Sequence, residues 1–191
     1  KGKPRFITIS RNIEVTKAEQ RSFSIPENSV KLKGMNNSST MHVQKLADKV
    51  YLAGKGSNFS IFVDAGEFYV GGGGLSGIYE RLEAVNQFLG VDKPIKVQVI
   101  PDHHRGHLGA IKELEEMGVN MVIASQHRNI IESMRSDKTH NAEFSVLDKK
   151  VDLANGLVEV HDIQTAHAEN YLLFYIPSAK LVFSADHFGT N

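Results

Sequence analysis

After residue 40 the apolar spacing changes period repeatedly, and a chain that does this must build sheet and helices around a shared core. Residues 43–54 and 57–66 read as a strand pair with a turn around Gly54–Ser57. Residues 67–77 read as a short strand running into glycine-rich loop. Residues 78–90 then place Ile78, Leu82, Val85 and Leu89 at helical spacing, and Gly90 is placed to end that helix in a left-handed conformation. A strand over 93–102, a helix over 107–119, a buried strand over 120–125 and a helix over 127–137 come next. Four more strands are predicted at 143–148, 157–164, 171–177 and 180–186. Such an order predicts a mixed α/β (α+β) layered domain.

In front of this pattern, residues 4–34 are rich in Ile, Phe, Val and Thr and broken by Pro26 and Asn28, so they too read as strand. The small polar run over 35–40 marks a linker. The expectation is a β-rich segment over 1–36, the candidate end of an upstream domain, and a main domain over 37–191. The chain starts on Lys1 without a Met or a charged-then-apolar leader, so it reads as a piece of a longer protein. A periplasmic or secreted setting is the expectation, with the cytoplasm left open.

Composition removes several functions. Lys and Arg total 22 and Asp and Glu total 22, so no net charge draws the chain to nucleic acid or an anionic membrane. No apolar run reaches the roughly 18 residues needed to cross a bilayer. The absence of cysteine excludes disulfides, thiolate zinc sites and a Cys nucleophile. Nine histidines are the unusual count, and eight of them lie after residue 100.

They concentrate in Asp102-His103-His104-Arg105-Gly106-His107, at the predicted junction of a strand and a helix. Side chains at i and i+2 of an extended segment share a side, so Asp102 and His104 can face one point. His107, in the first helical turn, can fold back toward it. Neutral imidazoles and a carboxylate suit a zinc-like cation, and three such ligands leave a position for water. His167 and Asp186 flank the last apolar strands and can converge on the same sheet edge. His103 and His187 are spare neighbours; His42, His127 and His140 lie on surface-like stretches and read as solvated.

This order of segments, with Val-Ile-Pro-Asp-His-His-Arg-Gly-His-Leu-Gly-Ala over 99–110 and the later His167 and Asp186, resembles the metallo-β-lactamase superfamily over residues 42–191. The resemblance implies an αββα four-layer sandwich, here lacking its C-terminal portion. It also implies one or two divalent ions, zinc first and manganese or iron as alternatives. Asp102, His104, His107, His167 and Asp186 are the implied metal ligands. A one-metal site of Asp102, His104 and His167 with Asp186 nearby is the preferred arrangement. Asp102 stands where the superfamily has a first His, and Gly106 stands where it has an Asp, so a second metal site is damaged. The implied activity is hydrolysis of an ester, amide, thioester or phosphoester in a small molecule, with Asp186 and His104 as catalytic groups. The alternative is a degenerate binding module that keeps the fold. Gly71–Gly74 lacks the Lys-Ser/Thr of a phosphate loop and reads as a flexible rim.

Overall fold

The computed structural model describes residues 40–134 and 143–186. The strands predicted over 4–34, the linker, the end of the helix predicted over 127–137, His140 and His187 lie outside the described residues.

A seven-stranded sheet runs in the order β1 (His42–Ala47), β2 (Val50–Lys55), β3 (Asn58–Asp64), β4 (Tyr69–Gly72), β5 (Ile95–Val99), β6 (Asn120–Ala124) and β7 (Phe144–Leu147). Strands β1 to β4 pair antiparallel; β4 to β7 pair parallel. Each parallel step is made through a helix, as parallel pairing requires a crossover: α1 (Ile78–Leu89), α2 (Ile111–Glu116) and α3 (Arg128–Met134). A second, antiparallel sheet contains β8 (Lys150–Leu153), β9 (Val158–Ile163), β10 (Tyr171–Ile176) and β11 (Leu181–Phe183), in the order β11-β10-β9-β8.

The strands of the first sheet are apolar on both faces because both are covered. One face packs Tyr51, Phe62, Tyr69 and Met121 against Ile78, Leu82 and Val85 of α1 and Ile111 and Leu114 of α2. The other packs Leu52, Ile61, Val63, Val70, Val99 and Val122 against Val158, Val160, Leu172, Phe174 and Ile176 of the second sheet. The described residues thus supply helix, sheet and sheet of the layered sandwich.

Three local readings change. Residues 43–54 hold two strands, because the chain reverses at Asp48-Lys49, where Lys49 takes a φ of 61°. Strand β8, with the polar sequence Lys-Val-Asp-Leu, carries too weak a pattern to be seen in advance. The helix predicted from residue 107 begins at Ile111, since residues 105–110 are spent on turns. The α1 prediction holds, with Gly90 ending it at a φ of 67°. Its N-terminus is capped from a distance: the Glu113 carboxylate accepts from the backbone N–H of Gly77 (2.7 Å) and Tyr79 (3.1 Å). That supplies partners for helix-end donors and places a negative charge at the positive end of α1.

Candidate metal centre

The carboxyl ends of the parallel strands β5 and β6 lie at one edge of the sheet, where open α/β sheets place their ligands. Asp102–His107 follows β5 at this edge. The turns that delay α2 are what fold the motif back on itself, and His107 N–H donates to the His104 carbonyl at 2.8 Å. The second sheet brings the rest. Leu172 N–H of β10 donates to the Pro101 carbonyl at 2.7 Å and so ties the second sheet directly to the residue before Asp102. His167 stands in the loop between β9 and β10, and Asp186 follows β11.

Asp102 is fully buried. Its Oδ1 accepts from the His104 backbone N–H at 2.8 Å and lies 2.7 Å from His107 Nδ1, while Oδ2 lies 2.7 Å from His104 Nδ1. Burial opposes ionisation of this carboxyl, but the hydrogen bonds from His107 and His104 outweigh it and hold Asp102 well below the usual carboxylate range. For His107 burial again works against charge; the hydrogen bond to Asp102 and the charges of Asp102 and Asp186 overcome it and raise its pKa. An ionised carboxylate only accepts, so each Nδ1 carries its proton and the Nε2 of the neutral imidazole keeps a lone pair. A carboxylate that fixes histidine tautomers in this way is the usual companion of a metal site.

Asp186 closes the cluster: its Oδ1 lies 3.3 Å from His107 Nε2 and its Oδ2 lies 2.9 Å from His167 Nε2. Ligand atoms of Asp102, His104, His107 and Asp186 all fall within 4.8 Å of one another. Bonds of about 2.0–2.2 Å put the ligands of one ion roughly 3.3–4.4 Å apart, so only a small contraction is needed. Two imidazoles and the Asp186 carboxylate form a donor set that zinc-like ions accept, with Asp102 behind the histidines. His167 stands at the rim, 3.6 Å from Asp102 Oδ2, with its ring 4.4 Å from that of His104. The geometry therefore draws His107, which the preferred one-metal arrangement omits, into the centre and puts His167 beside it.

Three supporting groups were hidden in the sequence. Tyr171, buried in β10, accepts through its hydroxyl from the backbone N–H of Ala185 (2.6 Å) and Asp186 (3.3 Å), which fixes the segment carrying Asp186. Glycines 71–74 are buried rather than set on an exposed rim, and Gly74 lies against the motif. A Cβ on Gly74 would stand 2.1 Å from the His107 carbonyl oxygen, and Gly74 has a φ of 63°. His127, read as solvated, is only 5% exposed, because the 3-10 turn after β6 tucks it under the same edge. Burial, aided by nearby His103, lowers its pKa. A lone His in a polar stretch gives no signal of this.

The likenesses to known proteins are structural. The DIM-1 metallo-β-lactamase matches with a TM-score of 0.61 and 14% identity over 78% of this chain and 74% of that one. A metallo-β-lactamase from Pontibacter korlensis matches with a TM-score of 0.55 and 20% identity, over 76% and 71%. The metallo-β-lactamase FIM-1 from Pseudomonas aeruginosa, solved in a mono-zinc form, matches with a TM-score of 0.59 and 13% identity, over 74% and 67%. No family model and no curated protein matches the sequence. The chain has the metallo-β-lactamase fold, and its His/Asp cluster fits a divalent metal site in that frame.

Proposed function

We propose that this protein is a metal-dependent hydrolase, its ion held by Nε2 of His104 and His107 and by Asp186, with Asp102 orienting both histidines and His167 at the rim. The observation that carries the reading is the convergence of four ligand groups from two sheets within 4.8 Å. Zinc is the proposed ion, in keeping with the mixed nitrogen and oxygen donors and with the mono-zinc form of one structural relative.

A divalent ion held here would supply Lewis acidity, to polarise a carbonyl or phosphoryl oxygen and acidify water. The chain's own residues do the remainder. Asp186, partly exposed at the mouth, accepts the proton of the attacking water. His167, with Nε2 2.9 Å from Oδ2, orients that carboxylate. His104, half exposed beside His167, faces the incoming substrate. The substrate class is an ester, amide, thioester or phosphoester of a small molecule.

The test is metal content and hydrolysis of an ester, thioester and phosphodiester panel. One equivalent of bound zinc that is lost in Asp186→Ala, with hydrolysis abolished by His104→Ala, supports the reading. A stripped chain that takes up no metal and gains no thermal stability from it overturns the reading.

One observation favours a second reading, a binding module that keeps the fold without the reaction. Gly106 offers no side chain where the resembling superfamily has an Asp, and a Cβ there would meet no atom within 4 Å. Under this reading the Asp102 cluster of the parent does not bind metal tightly, the panel is not hydrolysed, and Asp102→His with Gly106→Asp creates metal affinity there.

A further inference from the structure

Next to the cluster lies a second group of nitrogen and oxygen donors that the proposed reaction does not use. Nδ1 of His103 and Nε2 of His127 are 3.2 Å apart, with ring centroids 4.7 Å apart and tilted by 51°. On its other side the His103 ring stacks on His104 at 5.0 Å. His103 follows β5 and His127 follows β6, so neighbouring parallel strands present them at the same sheet edge.

As a plain hydrogen bond this pair leaves a defect. One proton lies between the two nitrogens, and in either tautomer His127 Nδ1 is buried without a hydrogen-bond partner among the described residues. A buried polar atom left in this state costs about 1–3 kcal/mol. Asp162 of β9 shows the matching defect. Its Oδ2 accepts from Asn170 Nδ2 at 2.9 Å, but its Oδ1 is buried and partnerless among the described residues. The charge of Asp162 acts on His127, although no hydrogen bond joins the two.

We propose that His103 Nδ1 and His127 Nε2 hold a divalent ion of the borderline class, and that Asp162 orients His127 for it. Two ligand nitrogens on a tetrahedral ion stand about 3.3 Å apart, so the observed 3.2 Å needs almost no adjustment. A His127 that binds through Nε2 carries its proton on Nδ1 and needs an acceptor, and the spare oxygen of Asp162 is one. Carboxylate, histidine and ion then form the usual orienting chain, and both buried defects disappear together. Imidazole nitrogen selects zinc, copper, nickel or cobalt over magnesium and calcium. His103 is exposed, so water completes the coordination sphere from the mouth of the site. None of these three residues belongs to the Asp102 cluster, so this ion has a ligand set of its own, separate from that of the proposed hydrolytic one.

The experiment is calorimetric titration of Zn²⁺ into the tag-free, chelator-stripped full chain, beside His103→Ala, Asp162→Asn and Asp186→Ala. The parent is expected to bind two ions. His103→Ala, a change at an exposed position that leaves the core intact, is expected to lose one of them. Asp162→Asn should weaken that ion about 10- to 100-fold, and Asp186→Ala should retain it. In Asp186→Ala, zinc-induced ¹⁵N shifts should fall on His103 Nδ1 and His127 Nε2. A His103→Ala protein with the parent's stoichiometry and affinities overturns the proposal, as does an Asp186→Ala protein that binds no zinc. If the hydrolytic reading alone fails, the parent binds one ion, which His103→Ala removes and Asp186→Ala keeps.

Discussion

Asp102 is the residue on which the site turns, because its two oxygens hold both His104 and His107. This pairing gives the metal-free protein a pH window. The Asp102 carboxyl is depressed in the fold, so its contribution is present above its unfolded value of about 4 and is lost as pH falls through the folded value. His107 is raised, so its contribution is full below its unfolded value of about 6.5 and is lost as pH rises through the folded value. Thermal unfolding in chelator should therefore peak between about pH 4 and 6.5, and Asp102→Asn should flatten the peak. Tyr171 acts one step further out. Tyr171→Phe removes the acceptor that fixes Ala185 and Asp186, and metal affinity measured by calorimetry should fall about 10- to 100-fold with the secondary structure unchanged. Equal affinity in the two proteins would deny Tyr171 that positioning role.

The elements that matter most are two irregular ones. The turns over 105–110 postpone α2 and bend the motif into a cluster, and the buried glycine segment beneath them allows that close approach. Gly74 meets the His107 carbonyl where no Cβ fits and holds a φ that other residues adopt only with strain. Gly74→Ala should cost about 2–4 kcal/mol in urea unfolding and lower metal affinity with it. Gly106, in the same turns, has open space around it. Gly106→Asp should leave stability within about 0.5 kcal/mol of the parent while adding a carboxylate beside the cluster. Metal affinity that stays unchanged in that variant would mean the new carboxylate does not reach the ion.

At the scale of the molecule, the site exists only while the two sheets are packed together. His104 and His107 belong to one sheet's edge; His167 and Asp186 come with the other. Between the sheets, Phe174 is 1% exposed and meets Phe183 of β11 edge to face at 6.4 Å, three residues before Asp186. Phe174→Ala should destabilise the fold by about 3–5 kcal/mol and weaken metal binding in parallel. Conversely, zinc at a hundred times its dissociation constant should add about 2.7 kcal/mol to the parent, read as a higher Tm. A parent whose Tm ignores zinc would separate the cluster from metal binding altogether.

Hydrophobic periodicity alone determined most of the strands, α1 and the junction after β5, because burial on one face or two leaves a direct trace in residue spacing. The motif from Asp102 to His107, with His167 and Asp186, was legible because chemistry-bearing residue types clustered at element ends. Strand β8 was not legible, since its polar Lys and Asp blur the alternation. Nor were Tyr171, Gly74 and His127, whose roles depend on what lies across from them in space. Only the tertiary structure decided that His107 is central and His167 at the rim. It also decided that His127, alone in a polar stretch, lies buried against His103. Spacing along a chain reports which way a side chain faces, whereas which group it meets depends on how separate strands and turns close over the same edge.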